Sequence, residues 1–501
     1  MSKNSNKEIV TGGLIWSYAE RITAQLVSLI VSIILARVLE PDHYGVVSIV
    51  MIFITFFNAF VTGGFGNSLV QKKDADELDF NTMLYCSIAV SIILYAILFI
   101  SAPYIASFYS LPIICPVLRV LGVRIIISGI NSIQHAWIQK KLEFKKFFLA
   151  TLLGTVLSAF IGISLANFGF GVWALVAQYL TNTIIDTIVL FFVDNWRPRF
   201  IFSWSRAKNL LLYGWKVLVT TLIYTIAADL RSLIIGKRFG SSDLAFYDQG
   251  KKFPNLIVTN INTSISKVMF PVLSRNQDNL LRMKQMCRKA TSVGVYLLAP
   301  LLIGLISVAD IFVEVVLSPK WLPCVPYLQI LAMVFLVRPM TSTCQQAIMS
   351  IGRSDITLKI ELIINTVGIT LLCIAVFFLN SVLMVAYGNL FTEIVGFVLF
   401  MIYSNKYINY TYSEQIKDIA PSLTLSCLMG ILIYCMNFIR INKIVLLIVQ
   451  VIIGILVYIG TSYLLQLEPF LYLVNIFNGM IRNKRIKYIL NKFVRNTVAL
   501  K

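Results

Sequence analysis

Nine basic side chains lie within stretches that are otherwise apolar enough to cross a bilayer: Arg21, Arg119, Arg124, Lys216, Arg231, Lys251, Lys252, Lys267 and Arg338. Turned toward lipid, each would cost roughly 2.5–3.5 kcal/mol on insertion scales. Helical phase shows how that cost is avoided, because residues at i, i+4, i+7 and i+11 share one face. Arg21, Gln25, Ser28 and Ser32 form one such stripe, and Arg124, Ser128, Asn131 and His135 a second. Lys216, Thr220, Tyr224 and Arg231 form a third. Lys252, Asn255, Thr259, Asn262 and Ser266 make a fourth, and Arg338, Ser342 and Gln345 a fifth.

Arginine forks suit phosphate oxygens, and amides and hydroxyls suit sugar hydroxyls, so the stripes predict a water-filled cavity for an anionic cargo. The expected cargo-binding cations are Arg21, Arg124, Lys216, Arg231, Lys252 and Arg338. For the uncharged members, interhelical hydrogen bonding is an equal reading. The mid-span carboxylates Glu20, Asp186, Asp229 and Glu393 are candidates for coupling transport to H+ or Na+; neutralising Arg21, Arg231 or Lys216 explains them equally well. No cofactor is expected. The chain has no GxxxxGK[ST] loop, and its eight cysteines are scattered without a CxxC pair or a nearby histidine, so they read as apolar packing residues and not as a metal site.

These residues need a membrane scaffold to position them. Of 501 residues, 58% are hydrophobic and 13% charged, which excludes an ordinary soluble domain. At about 20 residues per helix, this apolar content supplies about 14 transmembrane helices. They fall near 13–37, 44–69, 80–108, 117–138, 147–168, 172–193, 210–236, 244–273, 290–317, 325–351, 356–378, 382–403, 419–438 and 444–465. The connections are too short for a folded extramembrane domain, so any site lies within the spans.

The net charge of +20 would suggest nucleic acid in a soluble protein, but here it reports orientation. Most cations outside the spans, among them Lys72, Lys140, Arg197, Arg282, Arg353 and the tail, fall on one side. Only Arg37, Lys237, Arg238, Lys320, Arg440 and Lys443 fall on the other. That bias places both termini in the cytoplasm and calls for an even number of spans; no nucleic-acid partner is expected.

Residues 35–45 are echoed 200 positions later by 235–245, each following one long helix and opening the next. A second echo links Ala136-Trp137-Ile138-Gln139 with Ala347-Ile348-Met349-Ser350. Six spans per copy gives two lobes in parallel orientation. The expected domains are a six-helix lobe at 1–200, a second at 201–410, two extra helices at 411–468, and a basic amphipathic tail at 469–501. The tail sets Ile486, Ile489, Leu490 and Phe493 against Arg482, Lys484, Arg485, Lys487, Lys492 and Arg495, a pattern for binding anionic membrane lipids.

Several runs resemble the polysaccharide transport family of oligosaccharide flippases. They are Leu35-Ala36-Arg37 through Pro41 to Gly45, Gly64-Phe65-Gly66-Asn67-Ser68-Leu69, Gln139-Lys140-Lys141-Leu142-Glu143-Phe144, Gly169-Phe170-Gly171-Val172-Trp173, Trp196-Arg197-Pro198, Trp321-Leu322-Pro323 and Gly352-Arg353-Ser354-Asp355. The resemblance covers about 12 to 400 and fades after about Ser404. It implies the all-α fold of the multidrug, oligosaccharidyl-lipid and polysaccharide exporter superfamily, with two six-helix lobes around a central cleft. It also implies the cargo, an undecaprenyl-diphosphate-linked oligosaccharide repeat unit flipped across the bacterial cytoplasmic membrane for lipopolysaccharide, capsule or exopolysaccharide synthesis. A polysaccharide polymerase and export machinery would be its partners. An ion-coupled multidrug exporter is the alternative. A membrane enzyme would need a larger outer loop than the sequence provides.

Overall fold

The structure is a computed structural model. It describes residues 22–72, 74–141, 143–194, 196–439 and 441–480, apart from the side chains at 64, 65, 67, 144, 213, 216, 217, 223, 224, 227, 264, 266–268 and 477–480. Among the described residues there are helices and no strands, as expected where every backbone amide must be satisfied within its own segment.

The first helices are α1 (Ile22–Val38 as described), α2 (Pro41–Gln71), α3 (Glu77–Tyr109), α4 (Ile114–Lys141), α5 (Phe144–Asn167), α6 (Val172–Val193), α7 (Trp204–Arg238) and α8 (Ser241–Ser274). The rest are α9 (Leu280–Ser307), α10 (Ala309–Val316), α11 (Val325–Ser350), α12 (Ser354–Cys373), α13 (Val382–Ile408), α14 (Tyr412–Cys435), α15 (Lys443–Leu464) and α16 (Glu468–Met480). Eleven of the described helices are long and apolar enough to cross a membrane. The chain is therefore a multi-pass, all-α membrane protein. The sequence pattern adds α1, α7 and α8 as spans; α7 and α8 are the least apolar of the long helices, and they carry two of the polar stripes.

Helix packing divides the chain into two compact units, Met1–Ala245 and Phe246–Lys501. In the first, α2 packs on α4 and α7, α3 on α4, and α5 on α6. In the second, α9 packs on α14 and α11, and α13 on α11 and α12. Packing thus groups α7 with α2; the lobes at 1–200 and 201–410 remain a proposal drawn from the repeat.

The two copies of the repeated segment meet within the first unit. A Cβ at Gly45 would overlap the Ser241 carbonyl, so the α2 start admits only glycine there. The Asp42 carboxylate accepts hydrogen bonds from the Ser241 hydroxyl, at 2.9 Å, and from the Ser242 hydroxyl.

Other runs shared with the flippase family also serve packing and turns. Trp196 is buried among Phe80, Trp137 and Leu210, and Trp321 is fully buried beside Phe246. Gly169, Gly171 and Gly352 take positive φ at helix junctions.

Many of the cations that set orientation hold acids instead of standing free in water. Lys72 reaches Asp79 at 2.6 Å and Arg206 reaches the same carboxylate at 3.3 Å, where Asp76 and Asp79 cap α3. Arg288 grips Asp418 at 2.7 and 2.8 Å, and Tyr410 donates to that carboxylate at 2.8 Å. The tail cations at 482–495 lie outside the described residues.

Candidate functional site

Two helix pairs carry mid-helix charge on both partners, α4 with α6 in the first unit and α11 with α13 in the second. α4 can lie close to α3 because Gly129 leaves room for Ser91, and the Ser87 hydroxyl donates to the Gly129 carbonyl at 2.9 Å. That packing turns the Arg124–His135 stripe away from α3.

Arg124 is half-buried near the middle of α4. Its guanidinium lies 5.8 Å from the centre of the Tyr179 ring on α6, and its Nη1 is 3.8 Å from the Met51 sulfur on α2. The buried Nε has no hydrogen-bond acceptor, and no carboxylate pairs with this arginine among the described residues. An aromatic face and a thioether are weak partners for a guanidinium, which can offer five donors. Among the described residues the side chain is thus held in place with its Nε hydrogen unspent.

Two and three turns further along α4, the stripe closes on an acid. Asp186 on α6 accepts from the Asn131 amide at 2.7 Å and lies 3.1 Å from His135 Nε2. Asn131 also donates to Thr187 Oγ1 at 3.1 Å, which fixes the amide. The His135 ring packs on Phe147 at 4.6 Å between centres. Asp186 is 15% exposed and His135 40%, so water reaches the imidazole more readily than the carboxylate. Sequence phase put Asn131 and His135 on the Arg124 stripe; their partner Asp186, 51 residues from His135, could be found only by folding α6 against α4.

In the second unit, Arg338 and Glu393 meet, with Nε 3.4 Å from Oε1. The guanidinium also covers the Phe335 ring at 4.8 Å. Pro339, next in the chain, lacks the amide hydrogen that would bond the Phe335 carbonyl. The Ser342 hydroxyl donates to Asn262 Oδ1 on α8 at 2.9 Å, and the Gln345 amide donates to Glu361 on α12 at 3.2 Å. Arg338, Ser342 and Gln345 therefore touch three different helices.

The remaining candidates are more dispersed. Arg231 and Asp229 are half-buried on α7, and Lys252 is half-buried on α8. The Lys216 side chain, together with Arg21 and Glu20, lies outside the described residues. Among the described residues no group of three or more His, Cys, Asp or Glu could hold a metal ion. Arg119, one of the nine cations, donates weakly to the Phe99 carbonyl at 3.4 Å and covers that ring at 4.2 Å.

A multi-pass helical bundle that keeps arginines and carboxylates at mid-helix is a membrane transporter in class. Residues 34–326 match the model of the family described as polysaccharide biosynthesis protein, and the chain belongs to that family. It is 25% identical over 378 residues to the teichuronic acid biosynthesis protein TuaB of Bacillus subtilis, covering 74% of this chain and 77% of that one. It is 22% identical over 357 residues to the lipopolysaccharide biosynthesis protein WzxC of Escherichia coli, covering 71% and 73%. Among solved structures, the lipid II flippase MurJ in an inward closed conformation superposes with a TM-score of 0.72 at 14% identity, covering 90% of this chain and 98% of that one. An inward-facing multidrug resistance transporter of the MATE family superposes at 0.59 and 15% identity, covering 77% and 95%. Those two likenesses establish the shared fold.

Proposed function

We propose that this protein is a flippase that carries undecaprenyl-diphosphate-linked oligosaccharide repeat units across the bacterial cytoplasmic membrane by alternating access. Both termini lie in the cytoplasm, and the product serves a surface polysaccharide. The observation that carries this reading is Arg124, a mid-helix guanidinium with no carboxylate partner among the described residues. An unpaired arginine at that depth is costly without an anion, and a diphosphate offers the charge and the acceptor geometry that its fork requires. By sequence, Arg21, Lys216, Arg231 and Lys252 would add positive charge for the cargo, and Arg338 would do so only when its pair with Glu393 opens; the saccharide hydroxyls would meet the amides and hydroxyls of the stripes. The lipid tail stays in the bilayer. A multidrug exporter shares the fold, but relatives named for teichuronic acid and lipopolysaccharide synthesis favour the saccharide cargo.

Coupling to a proton is the companion proposal, with His135 and Asp186 as the exchanging pair. Imidazole is the side chain whose charge changes in the physiological range, and Asp186 is the carboxylate it faces. Asp229 and Glu393 are the alternative carboxylates, Glu20 standing with them by sequence alone. Polymerase and export machinery would take the flipped unit onward.

The test is deletion of the gene followed by analysis of lipid-linked saccharides by leaflet. Accumulation of a repeat unit on the inner leaflet, reversed by the wild-type gene and not by an Arg124→Gln copy, is the expected result. Unchanged lipid-linked saccharides in the deletion strain would overturn the assignment.

A further inference from the structure

Away from both networks, the second unit holds a cavity of about 550 Å³ between the start of α9, the start of α14 and α16. Its charged lining divides into two groups. Arg288 and Asp418 neutralise each other through the two-pronged contact described above, with Glu414 3.6 Å from the same guanidinium. Lys289 and Glu468 are left over. The Lys289 ammonium lies 5.5 Å from the centre of the Tyr472 ring, and neither it nor Glu468 has an ion-pair partner among the described residues. Both are exposed, and they do not pair with each other.

One unspent cation and one unspent carboxylate on the same cavity wall select for a ligand that carries both charges. A plain anion would meet Glu468, and a plain cation would meet Lys289. We propose that the cavity binds the headgroup of a zwitterionic aminophospholipid, its phosphate toward Lys289 and its ammonium toward Glu468. Gln285 and Ser292, also on the wall, supply an amide and a hydroxyl for phosphate oxygens.

The place in the fold suits a lipid better than a free metabolite. α9 and α14 start on the cytoplasmic side in the proposed topology, so the cavity sits at headgroup level. Val293 lines it, and Leu297 and Leu301, one and two turns further along α9, are 36% and 49% exposed. This apolar track leads from the cavity toward the hydrocarbon and gives an acyl chain a path. The inference depends on membrane insertion and orientation, not on the identity of the cargo.

The full chain in detergent micelles, titrated with short-chain phosphatidylethanolamine and read by native mass spectrometry and thermal unfolding, tests it. Phosphatidylglycerol of the same chain length and free phosphoethanolamine are the comparators. The expected result is binding of phosphatidylethanolamine at least about tenfold tighter than of either comparator. Lys289→Gln and Glu468→Gln should each weaken it by about tenfold, the loss of one charged contact. Both positions are exposed, so the lipid-free unfolding temperature should not move; the charge exchange Lys289→Glu with Glu468→Lys should recover part of the binding. Equal or tighter binding of phosphatidylglycerol would overturn the proposal, as would unchanged affinity in both single variants. Phosphoethanolamine binding as tightly as the lipid would overturn the lipid as occupant, and a cavity that takes lipid only after removal of residues 481–501 would make the basic tail its occupant.

Discussion

The pairs α4–α6 and α11–α13, which the proposed repeat would set in matching places, treat mid-helix charge in opposite ways. On α11–α13 the guanidinium of Arg338 and the carboxylate of Glu393 lie 3.4 Å apart, and the pair is neutral. On α4–α6 the two signs are kept apart. Asp186 is held by an amide and an imidazole, while Arg124 rests on an aromatic ring and a sulfur. A neutralised pair has little electrostatic work left for a ligand, because each charge already meets its counterion. A separated pair leaves one positive site open to an anion and one carboxylate facing an imidazole. On the proposed function, anion capture and proton sensitivity would belong to the first unit, while the second holds a self-contained ion pair.

The contrast breaks most easily at its arginines. Arg124→Gln should lower export of the surface polysaccharide by on the order of 100-fold with membrane insertion intact, since it removes the open cation. Arg124→Lys should recover only part, because a point charge does not reproduce the fork. Arg338→Gln and Glu393→Gln should each cost about tenfold, and the double variant should cost less than the two combined, because each single change strands one charge. Equal losses at Arg124 and Arg338, measured as polymer output per inserted protein, would erase the distinction between the units. Asp186→Asn and His135→Gln should act mainly on pH dependence. Transport assayed from about pH 5 to 8 should lose its slope in both variants while keeping a measurable rate. A slope identical to wild type in either would take the proton site away from α4–α6.

Sequence phase was enough to find the stripes on α4 and α11, because helical periodicity is local and arginine is rare in apolar runs. Hydropathy likewise gave the all-α, multi-pass class. The partners were not legible. Asp186, Glu393 and Glu361 come from other helices, and their phases relative to α4 and α11 depend on small-residue contacts such as Gly129 with Ser91. For the four mid-span carboxylates as a group the sequence offers Arg21, Arg231 or Lys216 as partners; the folded chain gives Asp186 His135 and Asn131, which lie one turn apart on α4. The runs shared with the flippase family led to the fold for a different reason. Gly45, Gly169, Gly352, Trp196 and Trp321 are fixed by close approach, positive φ and core packing, demands that leave little choice of residue. Such positions report architecture and say nothing about cargo. The orientation-setting cations report only sidedness in the sequence, and the ion pairs of Arg206 and Arg288 appear only once acids from distant segments are folded beside them.

The smallest predicted effect separates the proton site from the rest of the first unit. Asp76, at the cap of α3, is a second acid of that unit within reach of water, and the Arg206 guanidinium hydrogen-bonded to it holds its carboxyl below the ordinary carboxylate range. A lowered folded-state pKa means that its contribution to stability is fully present above the unfolded value, ~3.9, and is lost as pH falls through the folded value. Between about pH 5 and 8 Asp76 is charged whether the chain is folded or unfolded, so it adds no pH dependence there. Asp76→Ala should therefore lower the thermal unfolding midpoint modestly, by the same amount at pH 5, 6.5 and 8, and leave the pH profile of transport unchanged; the exposed ion pair is worth little and the cap about 1 kcal/mol. A transport slope that moved with Asp76 would show that the first unit senses pH at its rim, and the contrast between α4–α6 and α11–α13 would then be one of charge pairing alone.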